Sequence, residues 1–146
     1  MSAAKLQEFI RTRAKADSKQ VDFSARKKVW IDSVNSLYDE ISKWLSPLKK
    51  EVKINKTTVE ISEDHIDTYK IDILHLFIGK DKVSFIPKGT LIIGANGRID
   101  VLGPKGSQML VLNKENIWEI VSRRTVKPEF KPFSEESFLD TLKLVM

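Results

Sequence analysis

The chain has 146 residues, of which 41% are hydrophobic and 31% charged, and it carries a formal net charge of +5 at pH 7. A chain of this length buries about 70% of the surface that its unfolded form exposes, so we expect a single domain spanning residues 1–146 without covalent cross-links. Cysteine is absent, which excludes disulfides, thiolate zinc sites, iron–sulfur clusters and a cysteine nucleophile.

The N-terminal residues lack the continuous apolar core of a signal peptide, and the chain has no apolar run of about 18 residues that could cross a membrane. We therefore expect a cytoplasmic protein with no membrane partner. A chain without cysteine is also compatible with the reducing cytosol.

The positive charge lies near the N-terminus. Residues 1–28 hold eight basic and three acidic side chains and sum to +5, so residues 29–146 sum to zero. We call residues 1–28 the basic arm. Its basic side chains are candidates for contacts with nucleic-acid phosphates, although a solvated helix face is the simpler interpretation. These side chains are Lys5, Arg11, Arg13, Lys15, Lys19, Arg26, Lys27 and Lys28.

A short amphipathic helix is predicted at the start of the basic arm. Ser2 can cap this helix, and it should end near Ala16, because Asp17 to Gln20 favours a break. A helix this short needs a partner surface to be stable. Its apolar stripe consists of Leu6, Phe9, Ile10 and, at the edge, Ala14.

A second helix is predicted from a cap at Asp22 or Ser24 to Ser46, where Pro47 ends it. Its apolar residues recur at alternating spacings of four and three, so they share one face, and two tryptophans on that face favour packing across a sheet. A coiled coil needs a longer and less aromatic stripe. The face consists of Trp30, Val34, Leu37, Ile41, Trp44 and Leu48.

Residues 50–126 predict an antiparallel meander, because short β-prone segments alternate with turn residues. The first hairpin is expected to turn at Asn55 to Thr57. Asn96-Gly97 is expected to form a type I′ hairpin turn. Within Tyr69 to Ile78 the apolar residues change phase, which indicates either a bulge or burial of both faces, and we favour burial.

Residues 134–146 predict a C-terminal helix. Ser134 caps it, and Glu135 and Glu136 lie in its positive first turn. Residues 123–132 contain two prolines and should form the surface crossing that precedes it. The buried stripe of this helix consists of Phe138, Leu139, Leu142, Val145 and Met146.

These elements predict an α+β fold: a helical segment of residues 1–48, an antiparallel sheet or partly closed barrel of seven or eight strands, and a C-terminal helix packed on it. A meander closed by a C-terminal amphipathic helix resembles the pleckstrin-homology-like fold in topology, from which the two N-terminal helices depart. The predicted core consists of Trp30, Leu37, Ile41, Trp44, Ile71, Ile73, Leu76, Phe85, Ile92, Ile99, Val101, Leu110, Ile117, Phe138 and Leu142.

The chain has two histidines. His65 lies among Glu63, Asp64 and Asp67, which are ligand types that zinc, manganese or iron accept, but a solvated acidic turn is the simpler interpretation of this spacing. His75 interrupts an apolar strand, which favours a hydrogen-bonded structural histidine over a catalytic base. The glycine-rich turns lack the ending of a phosphate loop, and no serine lies in a nucleophile elbow.

The sequence therefore favours a small intracellular binding or regulatory module that is not an enzyme and whose partner is another protein. We expect no catalytic residue, cofactor or metal. Nucleic-acid binding through the basic arm is the first alternative, and an enzyme whose site has no known motif is the second. The sequence leaves the oligomeric state open.

Overall fold

A computed structural model of the chain describes residues 2–63, 66–90, 95–122 and 129–146, and within them the side chains of residues 5–11, 25–63, 68–90, 95–121 and 129–146. Its first element is one long α-helix, α1 (Ser2–Leu45), which is followed by a short 3-10 helix (Ser46–Leu48). The predicted break at Asp17 to Gln20 is wrong, because α1 runs through it. No glycine or proline precedes Pro47, and a serine or aspartate costs a helix only about 0.5 kcal/mol.

The fold is α+β, as predicted, and in the described part of the chain its sheet has seven antiparallel strands. The strands lie in chain order, β1 next to β2 and so on to β7, so the sheet is an open meander. The elements are β1 (Val52–Glu63), β2 (Ile66–Ile78), β3 (Asp81–Gly89), β4 (Gly97–Gly103), β5 (Gly106–Leu112), β6 (Trp118–Ser122), β7 (Glu129–Pro132) and the helix α2 (Glu135–Val145).

Two segments that the sequence predicts as connections belong to strands in the structure. Asn55 to Thr57, predicted as a turn, lies inside β1 and pairs with residues 73–75 of β2. None of these three residues is a glycine or proline, so the backbone can continue the ladder. Residues 129–132, predicted as part of a surface crossing, form β7, which pairs with β6. Because β7 is the edge of the sheet, it tolerates Pro132, which cannot donate a hydrogen bond.

Strand β2 changes its buried face between Ile71 and Leu74. The pairing of β1 with β2 has no register shift in this stretch, so a bulge does not explain the change. Burial of both faces is also wrong, because Phe77 is 37% exposed. Strand β3 pairs with β2 only from Leu74 to Ile78. In the residues of β2 that precede Leu74, β1 and β2 form a two-stranded ribbon, which twists more than a wide sheet and turns its other face to the core.

Tyr38 of α1 occupies the gap where β2 and β3 part. Its hydroxyl lies 2.7 Å from the carbonyl oxygen of Asp72 and 3.3 Å from that of Phe85. Burial and, secondarily, the charge of Asp72 raise the pKa of Tyr38 above its usual range, so it remains a hydrogen-bond donor. The Tyr38 hydroxyl thus ties α1 to the backbone of both β2 and β3.

The core lies between the inner face of the sheet and the two helices. Helix α1 contributes the predicted face from Trp30 to Trp44. Leu48 is 46% exposed, so its place on that face is wrong, because it lies in the 3-10 helix after α1 ends. Among the predicted core residues, Trp44, Ile73 and Leu142 are only partly buried, and Ile92 lies outside the described residues. The predicted core residues that are buried are Trp30, Leu37, Ile41, Ile71, Leu76, Phe85, Ile99, Val101, Leu110 and Phe138.

Ile117 is 49% exposed, so its prediction as a core residue is wrong. It precedes β6, whose first residue, Trp118, pairs with the buried Leu112 and lies partly buried against the core. Successive residues of a strand face opposite sides of the sheet, so the inward position belongs to Trp118 and not to Ile117.

Asn96 and Gly97 do not form the predicted type I′ turn. Neither residue has a positive φ, and Gly97 begins β4, where it pairs with Leu112 of β5. The glycine is needed for a different reason, because a Cβ atom at this position would overlap the six-membered ring of Trp30.

Helix α2 begins and packs largely as predicted. The Oγ of Ser134 accepts a hydrogen bond from the backbone N–H of Ser137 at 3.3 Å. Phe138 and Val145 are buried, whereas Leu139 is 50% exposed, so its place in the buried stripe is wrong. Leu139 follows Phe138 directly and therefore points about 100° away from it around the helix.

Candidate functional site

The first described side chains of α1, those of residues 5–11, form an exposed helical segment. The helix has 44 residues, which corresponds to a length of about 66 Å. Among its described side chains, the first buried one is Trp30. The side chains of residues 5–11 are all exposed. The basic arm is therefore helical from Ser2 onwards, and its described side chains from residue 5 to residue 11 are exposed.

Three large apolar side chains share one face of this exposed segment. Leu6 is 60% exposed, Phe9 is 68% exposed and Ile10 is 55% exposed. Spacings of three and four residues place them next to one another on the helix surface. We call these three residues the arm stripe. Lys5 and Arg11 adjoin it and are also exposed.

The structure describes the side chains of five of the eight predicted phosphate contacts, of which three are exposed and two are partly buried. Lys5 and Arg11 lie on the exposed segment, and Lys28 is exposed further along α1. Arg26 is partly buried instead, and its Nη2 donates to the carbonyl oxygens of Thr90 and Ala95. Lys27 is partly buried as well. The side chains of Arg13, Lys15 and Lys19 lie outside the described residues.

Arg26 belongs to a cluster of polar side chains at one end of the sheet. Glu63 of β1 accepts hydrogen bonds from the Tyr69 hydroxyl at 2.6 Å and from the Thr90 backbone N–H at 2.6 Å. A side chain at Gly89, where φ is 131°, would collide with the Glu63 carboxylate. Burial, followed by the hydrogen bond to Glu63, raises the pKa of Tyr69 above its usual range. This cluster joins the β1–β2 ribbon to the end of β3 and to α1.

A pocket lies beside Arg26, between α1 and the turn that joins β5 to β6. Its volume is about 230 Å³. An adjoining pocket of about 400 Å³ shares Val29 and Asn116 with it and extends towards Trp118. We call the first one the Arg26 pocket. It is lined by Arg26, Val29, Trp30, Asn96, Leu112 and Asn116.

His75 is a hydrogen-bonded residue on the outer face of the sheet. Its Nδ1 lies 2.8 Å from the Ser84 hydroxyl, and its Nε2 lies 3.2 Å from the Thr57 hydroxyl. Partial burial and, secondarily, the charge of Lys82 lower the pKa of His75. The ring therefore joins three strands, and the two pockets beside α1 are lined by other residues.

The acidic turn considered as a metal site falls largely outside the described residues. Asp64 and His65 lie there, as does the side chain of Asp67, whereas Glu63 is held by Tyr69 and Thr90. Within the described part of the chain, no three histidine or carboxylate side chains are grouped as metal ligands. The same part contains no helix that is long and apolar enough to cross a membrane.

The arm stripe can be predicted from the sequence, whereas the Arg26 pocket cannot. The arm stripe is visible as an apolar face that requires a partner. The Arg26 pocket has no local signal, because Val29, Asn96 and Asn116 are distant in sequence and are brought together by the packing of α1 on the sheet. The left-handed backbone of Asn116, at φ 62°, is the one unusual local feature of its lining.

No protein-family model, curated protein or solved structure matches the chain.

Proposed function

We propose that the protein is a non-enzymatic binding module that docks on a partner protein through the arm stripe. The observation that carries this proposal is the exposure of Leu6, Phe9 and Ile10 on one face near the start of α1. Contiguous exposed apolar side chains are typical of interaction sites. Amphipathic helices commonly bind by laying such a face into an apolar groove.

The charge of the basic arm defines the partner further. Lys5 and Arg11 border the stripe, and residues 1–28 sum to +5. We therefore propose an apolar groove whose rim carries carboxylates. Two copies of the arm would repel each other, so this charge argues against self-association. Nucleic-acid phosphates would be matched by the cations but would leave the stripe in water. Since the chain has no cysteine, a reducing compartment suits it, and we propose a cytoplasmic module.

The exposed area of the stripe sets the size of the expected effect. Complete burial of a Leu, Ile or Phe side chain contributes about 1.5–3 kcal/mol, and each stripe residue has more than half of its surface free for a partner. Burial of all three would then contribute about 3–5 kcal/mol. Their loss should weaken binding by a factor on the order of 100 or more.

The test compares the wild type with a triple serine variant of the arm stripe and a double serine variant of α2. The stripe variant is Leu6→Ser, Phe9→Ser and Ile10→Ser, and the matched control is Leu139→Ser with Leu144→Ser, which removes exposed apolar side chains from α2. Proteins retained from a native lysate by the wild type are purified, whether or not the two variants also retain them. Their dissociation constants are then measured against all three forms. We expect the stripe variant to bind at least 100-fold more weakly and the control to bind as the wild type.

Three results would contradict this proposal. Equal binding by the stripe variant would exclude the stripe as the docking surface. A bound nucleic acid that is lost on Lys5→Glu with Arg11→Glu, and that falls steeply with salt, would establish the nucleic-acid alternative. Dimerisation in sedimentation equilibrium that the stripe variant abolishes would identify a second copy as the occupant.

A further inference from the structure

Strand β1 is a long open edge of the sheet. In the part of the chain that the structure describes, it pairs with β2 on one side and with no strand on the other. From Val52 to Ile61 it follows β2 without a register shift, and it contains no glycine or proline. Seven of its twelve residues are exposed. Such an edge presents a row of backbone N–H and C=O groups that another strand can bind.

The other edge of the sheet is short and blocked. Strand β7 has four residues and ends at Pro132, and a short strand or a proline protects an edge from pairing. On β1 the protecting feature is charge alone. Lys56 and Glu60 are both exposed there, two residues before and two residues after Thr58. Because these charges are opposite and equally distant from Thr58, they complement each other when the strand meets a second copy of itself in the antiparallel direction.

The symmetry of such a pair restricts its register. Along an edge strand, the backbone groups of successive residues point alternately to the neighbouring strand and to the free side. Two residues that face each other must therefore both point outward or both point inward, so the two-fold axis passes through a residue. With the axis at Thr58, Lys56 of each copy lies opposite Glu60 of the other. With the axis at Thr57 or Val59, neither charge meets a charged residue. With the axis at Lys56 or Glu60, like charges meet.

We propose that two copies of this chain pair antiparallel through β1 with the two-fold axis at Thr58, so that two seven-stranded sheets join into one. Residues 55–61 of each copy then face each other and form roughly six to eight backbone hydrogen bonds. Two Lys56–Glu60 pairs, one on each side of the axis, fix the register, because side chains directly opposite each other interact. Residues 29–146 sum to zero charge, so no net charge on the chain beyond the basic arm opposes the pairing. This inference is independent of docking through the arm stripe.

The first test measures association by sedimentation equilibrium. The wild type should show a monomer–dimer equilibrium with a dissociation constant below about 0.5 mM. Lys56→Glu alone, or Glu60→Lys alone, replaces both attractive pairs by repulsive ones and should weaken dimerisation about tenfold or more. The double exchange of Lys56→Glu with Glu60→Lys restores opposite charges and should return the dissociation constant to within about threefold of the wild type. Lys131→Glu makes the same charge change on β7, at an exposed position, and should leave dimerisation unchanged. Circular dichroism shows whether each variant is folded.

The second test reads the register with single cysteines. The chain has no cysteine, so one introduced thiol can form a disulfide only between copies. Thr58→Cys places the two thiols at the axis, where the Cα atoms are about 4.5–5.5 Å apart, within the range that a disulfide spans. Ser62→Cys, exposed on the same strand, is the matched control, because residue 62 lies opposite residue 54 in this register and its two copies are about 27 Å apart. Mild oxidation should cross-link the Thr58→Cys variant about tenfold faster or more.

The proposal is overturned if the wild type remains a monomer at about 0.5 mM, or if Ser62→Cys cross-links as fast as Thr58→Cys. Dimerisation that withstands both single charge reversals, or that the double exchange does not restore, would also overturn it, because the copies would then use another surface or register. A wild-type monomer whose Thr58→Cys variant cross-links to a different protein would identify a foreign strand as the occupant of this edge and contradict self-pairing.

Discussion

The hydroxyl of Tyr38 provides a direct test of how α1 is fixed to the sheet. It lies 2.7 Å from the carbonyl oxygen of Asp72 and 3.3 Å from that of Phe85, where β2 and β3 part. Tyr38→Phe removes the hydroxyl, keeps the buried ring and leaves these carbonyls without this donor. We expect the free energy of unfolding to fall by about 1–3 kcal/mol. For a chain of this size, this corresponds to a decrease in Tm of about 3–10 °C.

Urea unfolding monitored by circular dichroism measures this change, with Ser36→Ala, at an exposed position of α1, as the control. The control should stay within about 0.5 kcal/mol of the wild type. The pKa of Tyr38 is raised above its usual 10.0 in the folded state, so its stabilisation is complete below pH 10. The difference between wild type and Tyr38→Phe should therefore narrow as the pH rises above 10. A difference below about 0.3 kcal/mol at pH 7 would refute the role of the hydroxyl at this gap.

Two further substitutions test the packing of α1 and the histidine on the outer face. Gly97→Ala places a Cβ atom against the Trp30 ring and should cost about 1–3 kcal/mol in thermal or urea unfolding, whereas Ser107→Ala at an exposed position of β5 should cost little. Equal stability of these two variants would mean that Trp30 can move aside. The lowered pKa of His75 favours its neutral form in the fold, so its contribution is present above pH 6.5 and decreases below it. Between pH 7 and pH 5, the free energy of unfolding of His75→Gln should therefore fall less than that of the wild type. Equal falls for the two proteins would exclude a stabilising role of neutral His75 between Ser84 and Thr57.

The sequence predicts the layout of the fold because that layout depends on periodicity and turn chemistry. The face from Trp30 to Trp44, the antiparallel order of the strands and the Ser134 cap are all local patterns. The continuity of α1 could not be predicted in the same way, because polar residues such as Asp17 to Gln20 are compatible with both a helix and a break. Similarly, Asn96-Gly97 has the composition of a hairpin turn, but tertiary contact with Trp30 determines its conformation.

The arm stripe and the Arg26 pocket also differ in whether a local sequence pattern or a tertiary contact determines them. The arm stripe is predictable as an apolar helix face, and only the structure adds that Leu6, Phe9 and Ile10 remain exposed. The Arg26 pocket depends on the meeting of Val29 with Asn96 and Asn116, which no sequence spacing relates. The sequence instead predicts Arg26 as one more phosphate contact, because its charge is visible and its neighbours are not.

Site-specific photo-crosslinking at Phe9 in cells tests the central claim most directly. A benzophenone amino acid replaces Phe9, which is 68% exposed, and the same group at Leu139, 50% exposed on α2, is the matched control. Docking through the arm stripe predicts a protein adduct from position 9 that is absent from position 139, with the partner cross-linked at an apolar groove bordered by carboxylates. The same adducts from both positions, or an adduct with nucleic acid at position 9, would contradict the account.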